Sequence, residues 1–351
     1  MMEPERSKGM TLRRKVLFSA STVLVVFALL EGAARLFTPP PDPGLYETHR
    51  EMIRILGLSE MNRLMRFDPD RFWALRENLR RERIIGRIRG AEIDFRVSTD
   101  NRGMRSAPAG RSGGRFTILA VGNSCTFGVG VGDEETWPAR LEAILRERRG
   151  MDARVRNAGV PGYTSFQGLR LLQGGGLDPA PDLAIACFGF NDVDAWGPRG
   201  DRETARALAA RRAARLLDRS RLVVALRGLL RRGRVSGVGE NDGERRPRLT
   251  PEEFRETLLE INRVCADHDV PLLLLVWPFR DQVEGEAPER VAYQPIVDHV
   301  GAEAGIPVID LVGPFRAAAG PLYLDHIHAD PAGCEVAARA IDEAMNRART
   351  R

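Results

Sequence analysis

The chain of 351 residues has almost no lysine: Lys8 and Lys15 are the only two, so nearly all of its 53 basic residues are arginine. The skew reads as genomic composition rather than as a dedicated use of guanidinium groups on phosphates. Cysteine is scarce too. Cys125, Cys187, Cys265 and Cys334 lie far apart with no C-x-x-C pair, which excludes a zinc ribbon and a dithiol redox motif. A chain this long needs no disulfide scaffold, and the four read as small buried apolar residues. Aromatic residues make up only 6% and do not interleave with basic ones, so no stacking platform for nucleic-acid bases is offered. What the chain does have is 43% hydrophobic and 29% charged residues, enough to bury a core and too apolar for overall disorder.

The net charge of +5 is unevenly spread. Residues 202–234 carry 11 Arg against Glu203 and Asp218, a net of +9, and residues 1–15 carry +3, which leaves the rest at −7. A mildly acidic body with two local basic patches excludes a nucleic-acid partner as the explanation of the charge.

The first patch precedes an apolar run. Residues 16–30, VLFSASTVLVVFALL, follow Arg13, Arg14 and Lys15 and carry no charge, and the apolar character extends to Phe37 with Glu31 and Arg35 placed to snorkel at an interface. No small-x-small cleavage signal follows. The pattern predicts an uncleaved signal anchor over 1–37, spanning the cytoplasmic membrane once as a transmembrane helix, its basic end inside and the remaining chain extracytoplasmic (periplasmic). A cleaved signal peptide and a buried amphipathic helix are the alternatives.

Residues 38–114 read as a linker and a lead-in subdomain. TPPPDPG at 38–44 favours stiff, extended backbone. Residues 63–78, RLMRFDPDRFWALREN, read as a polar helix, and residues 91–104, AEIDFRVSTDNRGM, as a strand with an Asn-Arg-Gly turn. From 115 to 351 short apolar runs alternate with helical patterns. Strands are expected at 116–121, 153–158, 182–189, 271–277 and 307–311, and helices near 133–148, 164–174, 251–267, 289–304 and 331–348, with start signals at Thr250-Pro251 and Asp330-Pro331. This rhythm predicts right-handed βαβ units, hence an α/β fold with about five parallel strands and a ligand site beyond their carboxyl ends. Residues 195–249 interrupt it with a helical, Arg-rich insertion whose Leu208, Leu216, Leu217, Val223, Val224, Leu226, Leu229 and Leu230 give it a packing face. The insertion reads either as a solvated helical hairpin or as a lid or second contact with anionic headgroups.

Chemistry concentrates at the strand ends. Ser124 in AVGNSCTFG follows the first main strand and precedes a helix, where backbone N–H groups can receive an oxyanion. The GVGVG at 128–132 lacks the G-x-G-x-x-G spacing of a dinucleotide site. Asp325 and His328 stand just before the last helix, spaced so that a carboxylate can orient an imidazole that deprotonates a serine; His326 is the local rival, and the three-residue spacing favours His328. Gly162, after the second main strand, can present an open N–H, and Asn191, after the third, a side-chain amide.

At these residues the sequence resembles the SGNH, or GDSL-like, hydrolase family over roughly 115–348. Ser124 in GNS, Gly162 in NAGVPG, Asn191 in GFND and the Asp325-x-x-His328 block match the family's four motifs, with Asn123 replacing the usual Asp of G-D-S. The resemblance implies a three-layer α/β/α flavodoxin-like domain. It implies metal-free acyl transfer without a cofactor, a triad of Ser124, His328 and Asp325, and an oxyanion hole from the Ser124 N–H, the Gly162 N–H and the Asn191 amide. Trp277-Pro278 would shape the pocket wall. The segment Asn101–Arg105 and the Pro-rich exit are similar to those of membrane-anchored bacterial members. The expected function is a membrane-anchored extracytoplasmic serine esterase acting on a glycan or lipid ester of the envelope. An O-acyltransferase using the same acyl-enzyme and a catalytically silent envelope-binding protein are the alternatives.

Overall fold

The computed structural model describes residues 11–37, 63–88, 91–106, 115–195, 199–210, 220–223, 226, 246–285 and 290–349. The Pro-rich exit at 38–44 and the most Arg-dense part of the insertion lie outside the described residues. The chain divides into two compact units, Met1–Gly44 with Ala207–Asn241, and Leu45–Arg206 with Asp242–Arg351.

In the first unit, α1 (Leu12–Phe37) contains a 25-residue candidate span, Leu12–Leu36, within which an 18-residue window reaches a mean hydropathy of 2.0 with none of that window buried. At 1.5 Å per residue such a helix is long enough to cross a hydrocarbon core of about 30 Å. Its apolar side chains, Leu17, Phe18, Leu24 and Leu29 among them, are exposed. Near its end Arg35 pairs with Glu31 at 2.8 Å, and Glu31 also accepts from Ser220 Oγ at 2.6 Å and from the N–H groups of Arg221 and Leu222 at 3.1 Å.

The second unit opens with two hairpins. β1 (Met65–Asp68) pairs antiparallel with β2 (Phe72–Leu75), and β3 (Glu82–Ile88) with β4 (Ala91–Val97). The first hairpin corrects the helix expected over 63–78. Pro69 sits in the middle of that segment, where it removes an N–H and turns the preceding residue away from helical geometry. Asp68 Oδ1 then accepts from the N–H groups of Asp70 (3.0 Å) and Arg71 (2.9 Å), closing a turn instead. β2 is buried along its whole length, so its apolar run FWAL carries no helical periodicity. The strand expected at the start of 91–104 is β4, and Asp100 Oδ1 closes the following Asn-Arg-Gly turn by accepting from Arg102 and Met104 N–H, both at 2.9 Å.

The main body follows the expected alternation. Its elements in chain order are β5 (Phe116–Gly122), α2 (Ser124–Phe127), α3 (Trp137–Glu147), β6 (Ala153–Gly159), α4 (Ser165–Leu171), β7 (Leu183–Cys187), α5 (Phe190–Val193) and α6 (Asp201–Ala210). After the insertion come α7 (Pro251–Ala266), β8 (Leu272–Val276), α8 (Arg280–Glu284), α9 (Gln294–Ala304), β9 (Val308–Asp310), α10 (Val312–Ala317) and α11 (Pro331–Arg349). The five strands form one parallel sheet ordered β6-β5-β7-β8-β9. Side chains alternate across it. Ile118 and Ala120 join a core with Leu141, Ile144, Ala337 and Ile341 from α3 and α11, while Leu119 and Val121, equally buried, face the other layer, where α7 packs on α4 and α9. This is a three-layer α/β/α domain with flavodoxin-like strand order. Order reverses at β5, so the crevice for a ligand opens where the β5, β6 and β7 carboxyl ends meet.

Candidate active site

All three of those strands end on residues expected to carry chemistry. β5 stops at Gly122, where any Cβ would meet the Cys187 carbonyl oxygen at 2.8 Å, so only glycine lets the chain turn this close to β7. Asn123 caps the next helix from extended backbone, its Oδ1 accepting from Cys125 N–H at 2.9 Å. Ser124 is therefore the first residue of α2, ahead of that helix's hydrogen-bonding ladder. The helix ends at Gly128, and the buried Arg105 holds the exit by donating to the carbonyls of Phe127 (2.7 Å), Gly128 (2.6 Å) and Val131 (2.6 Å) while pairing with Asp133 at 3.0 Å. Arg105 belongs to the Asn101–Arg105 segment singled out in the sequence, and its place in the fold is to brace the serine turn.

Asp325 and His328 meet Ser124 from the turn before α11. Asp325 Oδ1 accepts from the backbone N–H groups of Ile327 (2.9 Å) and His328 (2.7 Å), so the turn folds around its own carboxylate. Asp325 Oδ2 lies 2.8 Å from His328 Nδ1, and His328 Nε2 lies 2.8 Å from Ser124 Oγ. Burial opposes ionisation of Asp325, but the hydrogen bond and charge of His328 and the two backbone donors outweigh it and hold the carboxyl well below the ordinary range. His326, the rival base, sits 3.7 Å from Asp325 and against the Phe190 ring at 5.4 Å, while the imidazole that reaches Ser124 belongs to His328. Trp277 Nε1 donates to Ile327 O at 2.9 Å, fixing the turn from behind, and Trp277 lines an apolar cavity with Asn123, Cys125, Phe190, Phe279 and Ile327. The Cys125 thiol beside the serine is pushed far up by burial, which disfavours its thiolate form.

Gly162 follows β6 with φ of +78°, a left-handed conformation that glycine adopts without steric cost. Asn191 in α5 donates one amide hydrogen to Tyr163 O at 2.9 Å, which fixes the amide and leaves its second hydrogen for another acceptor. Asp192, next along, accepts from Ser165 N–H (2.8 Å), Ser165 Oγ (2.6 Å) and Gly189 N–H (3.0 Å), tying the starts of α4 and α5 together. Complete burial pushes its carboxyl up to about 6, with those bonds and the Arg248 charge working in the opposite direction. Among the described residues no three His, Cys, Asp or Glu side chains gather as a metal ion would require.

Sequence reasoning missed two contributors to this end of the sheet. Trp73 Nε1 donates to Pro161 O at 3.0 Å, and Arg248 donates to Gly162 O. Both are essentially fully buried. A lone tryptophan inside a segment otherwise read as polar was the available signal for the first.

The arrangement sets an imidazole, oriented by a carboxylate, against a serine hydroxyl that it can deprotonate. The sequence pattern of the GDSL-like Lipase/Acylhydrolase family matches residues 120–336 of the chain. No curated protein matches it. Solved structures with a similar fold include LAE5, an α/β hydrolase enzyme from the metagenome of Lake Arreo, Spain (20% identity, TM-score 0.45, 66% of this chain and 96% of that one). They also include the acetylxylan esterase Axe2 from Geobacillus stearothermophilus (16%, 0.43, 66% and 95%) and a member of the lipolytic protein G-D-S-L family from Veillonella parvula (13%, 0.43, 66% and 99%).

Proposed function

The chain belongs to the GDSL-like lipase/acylhydrolase family, an ester-cleaving hydrolase class, and on that premise we propose that it is a membrane-anchored serine esterase whose catalytic residues are Ser124, His328 and Asp325. The observation that carries the proposal is the unbroken Asp325–His328–Ser124 hydrogen-bonded chain, 2.8 Å at each link. With Asp325 ionised and bonded to Nδ1–H, His328 presents Nε2 as an acceptor. The Ser124 hydroxyl passes its proton to Nε2 as Oγ attacks the ester carbonyl. The negative charge that develops on the carbonyl oxygen is met by the N–H groups of Ser124 and Gly162 and the second amide hydrogen of Asn191. Collapse breaks the ester bond, the alcohol leaves with the proton from His328, and an acyl group stays on Ser124. Water, deprotonated by His328, then releases the acid.

The exposed apolar run of α1 at residues 16–30, with Arg13, Arg14 and Lys15 before it, supports single-pass anchoring with the hydrolase outside the cytoplasm. An enzyme held there meets acylated envelope glycans and lipids, which we propose as its substrate class. Labelling of the full-length protein in detergent by a fluorophosphonate probe tests the site: the label is expected on the parent and on Ser220→Ala and lost from Ser124→Ala. A folded parent that takes no label overturns the esterase. Product analysis with a sugar acceptor separates hydrolysis from transfer, with free acid as the sole expected product.

A further inference from the structure

Three successive carbonyls after β6 are each held by a side-chain donor from a different part of the chain. Trp73 Nε1 in β2 bonds Pro161 O at 3.0 Å, Arg248 Nη1 at the end of the insertion bonds Gly162 O at 2.5 Å, and Asn191 Nδ2 in α5 bonds Tyr163 O at 2.9 Å. In a trans peptide the C=O and the following N–H point in opposite directions from one rigid plane. Holding Pro161 O therefore aims the Gly162 N–H, and holding Gly162 O aims the Tyr163 N–H, which closes onto Val160 O at 3.1 Å.

The two holders are themselves locked. Trp73 is fully buried, and Tyr163 OH donates back to its carbonyl at 2.7 Å. Arg248 lies with its guanidinium carbon 5.5 Å from the Trp73 ring centroid, bonds Asp201 Oδ1 (3.0 Å) and Oδ2 (2.8 Å), and bonds Gln167 Oε1 (2.6 Å). Thr164 Oγ1 completes the carboxylate's shell at 2.6 Å. Both ends of the insertion are joined here as well, since Asp201 N–H donates to Arg248 O at 2.7 Å and Arg248 N–H to Asp194 O at 3.0 Å.

We propose that Trp73 and Arg248 are positioning residues for the developing oxyanion, Trp73 aiming the Gly162 N–H through the Pro161–Gly162 peptide and Arg248 fixing the next peptide plane so that Gly162 cannot rotate away, so that the lead-in hairpin and the stem of the insertion are working parts of the hydrolase. They touch no reacting atom and act only through the 161–163 backbone. Both roles rest on Gly162 serving as an oxyanion donor, as proposed above.

The test compares the full-length parent with Trp73→Phe, Arg248→Lys and Ser124→Ala on p-nitrophenyl acetate, with kcat expressed per site titrated to completion by a fluorophosphonate. Trp73→Phe keeps an aromatic ring and loses the N–H; Arg248→Lys keeps the charge and loses the fork. Removing an oxyanion donor outright costs about 10²–10³-fold, and misaiming one costs less. Trp73→Phe and Arg248→Lys are each expected to lose roughly tenfold in kcat per titrated site, with KM within about twofold and an unmoved pH–rate midpoint because the base is untouched. A purely structural role would reduce the number of titratable sites and leave kcat per site intact. Values of kcat per site within about twofold of the parent overturn the inference, and Arg248→Lys decides alone where Trp73→Phe does not fold. An inactive Ser124→Ala beside a fully active Trp73→Phe overturns only the positioning roles. An active Ser124→Ala overturns the site and these roles with it.

Discussion

The turn that brings His328 to 2.8 Å from Ser124 and the loop that carries Gly162, the proposed oxyanion donor, are built in opposite ways. The turn carrying Asp325 and His328 is self-contained: the carboxylate accepts from residues two and three positions on and orients an imidazole three positions on. The loop carrying Gly162 borrows its geometry, from Trp73 88 positions before Pro161 and from Arg248 86 positions after Gly162. A local device travels with its motif, whereas a borrowed one needs the whole domain. Damage to the first should therefore remove chemistry without unfolding, and damage to the second should couple chemistry to the packing of distant elements.

The largest effect belongs to the local device. In Asp325→Asn the side-chain oxygen can still accept from the Ile327 and His328 N–H groups, so the turn is kept. The amide nitrogen, however, faces Nδ1, which must then be an acceptor, and Nε2 becomes a donor toward Ser124 that cannot take its proton. A fall in kcat of about 10⁴-fold with little change in Tm is expected. Steady-state hydrolysis and thermal melting measure the two, and a loss smaller than about tenfold would show that Asp325 does not set the tautomer.

That asymmetry also sets what was legible in the sequence. Ser124, Asp325 and His328 could be named because strand ends and a three-residue spacing are local facts, and the five strands of the main sheet are buried apolar runs between capped helices. The lead-in was misread because Arg63–Asn78 spaces its apolar residues ambiguously, and only the Asp68 turn and the burial of β2 on both faces decide for a hairpin. β3 was passed over because its ERIIGRI is half charged, and the strand takes its definition from pairing with β4. Nothing local connects Trp73 or Arg248 with Gly162. Their roles exist only after the hairpin and the insertion stem have folded onto the loop.

A smaller, pH-dependent effect lies in the borrowed half. Asp192 ties the residues after Gly162 to the turn after β7, and burial raises its carboxyl to about 6 from an ordinary 3.8. Between those values the folded protein keeps a proton that the unfolded chain has lost. Stability from this group is therefore fully present below about 4, declines as pH rises from about 4 to about 6, and is lost above that, by an amount on the order of 3 kcal/mol. Subtracting the melting curve of Asp192→Asn, which has no such titration, isolates it. The stability of the parent relative to the variant should fall between pH 4.5 and 7.5, and a flat difference would show that Asp192 keeps one charge state throughout.

The smallest effect returns to the local half, at Asn123. Its side-chain oxygen satisfies Cys125 N–H at 2.9 Å, one of the donors left open at the start of α2, and the side chain is almost wholly buried. Asn123→Ala leaves that donor without a partner and should cost about 1 kcal/mol, a drop in Tm of roughly 2–4 °C for a domain of this size. Asn123→Asp restores an acceptor at a helix amino terminus, where negative charge is favoured, but it also buries a charge. These terms oppose each other, so the Asp variant should melt within about 2 °C of the parent and keep its kcat, because the Ser124 N–H is held by the same turn. A Tm for Asn123→Asp as low as that of Asn123→Ala would show that desolvation wins at this position, and that the neutral residue is what lets this serine turn stay buried.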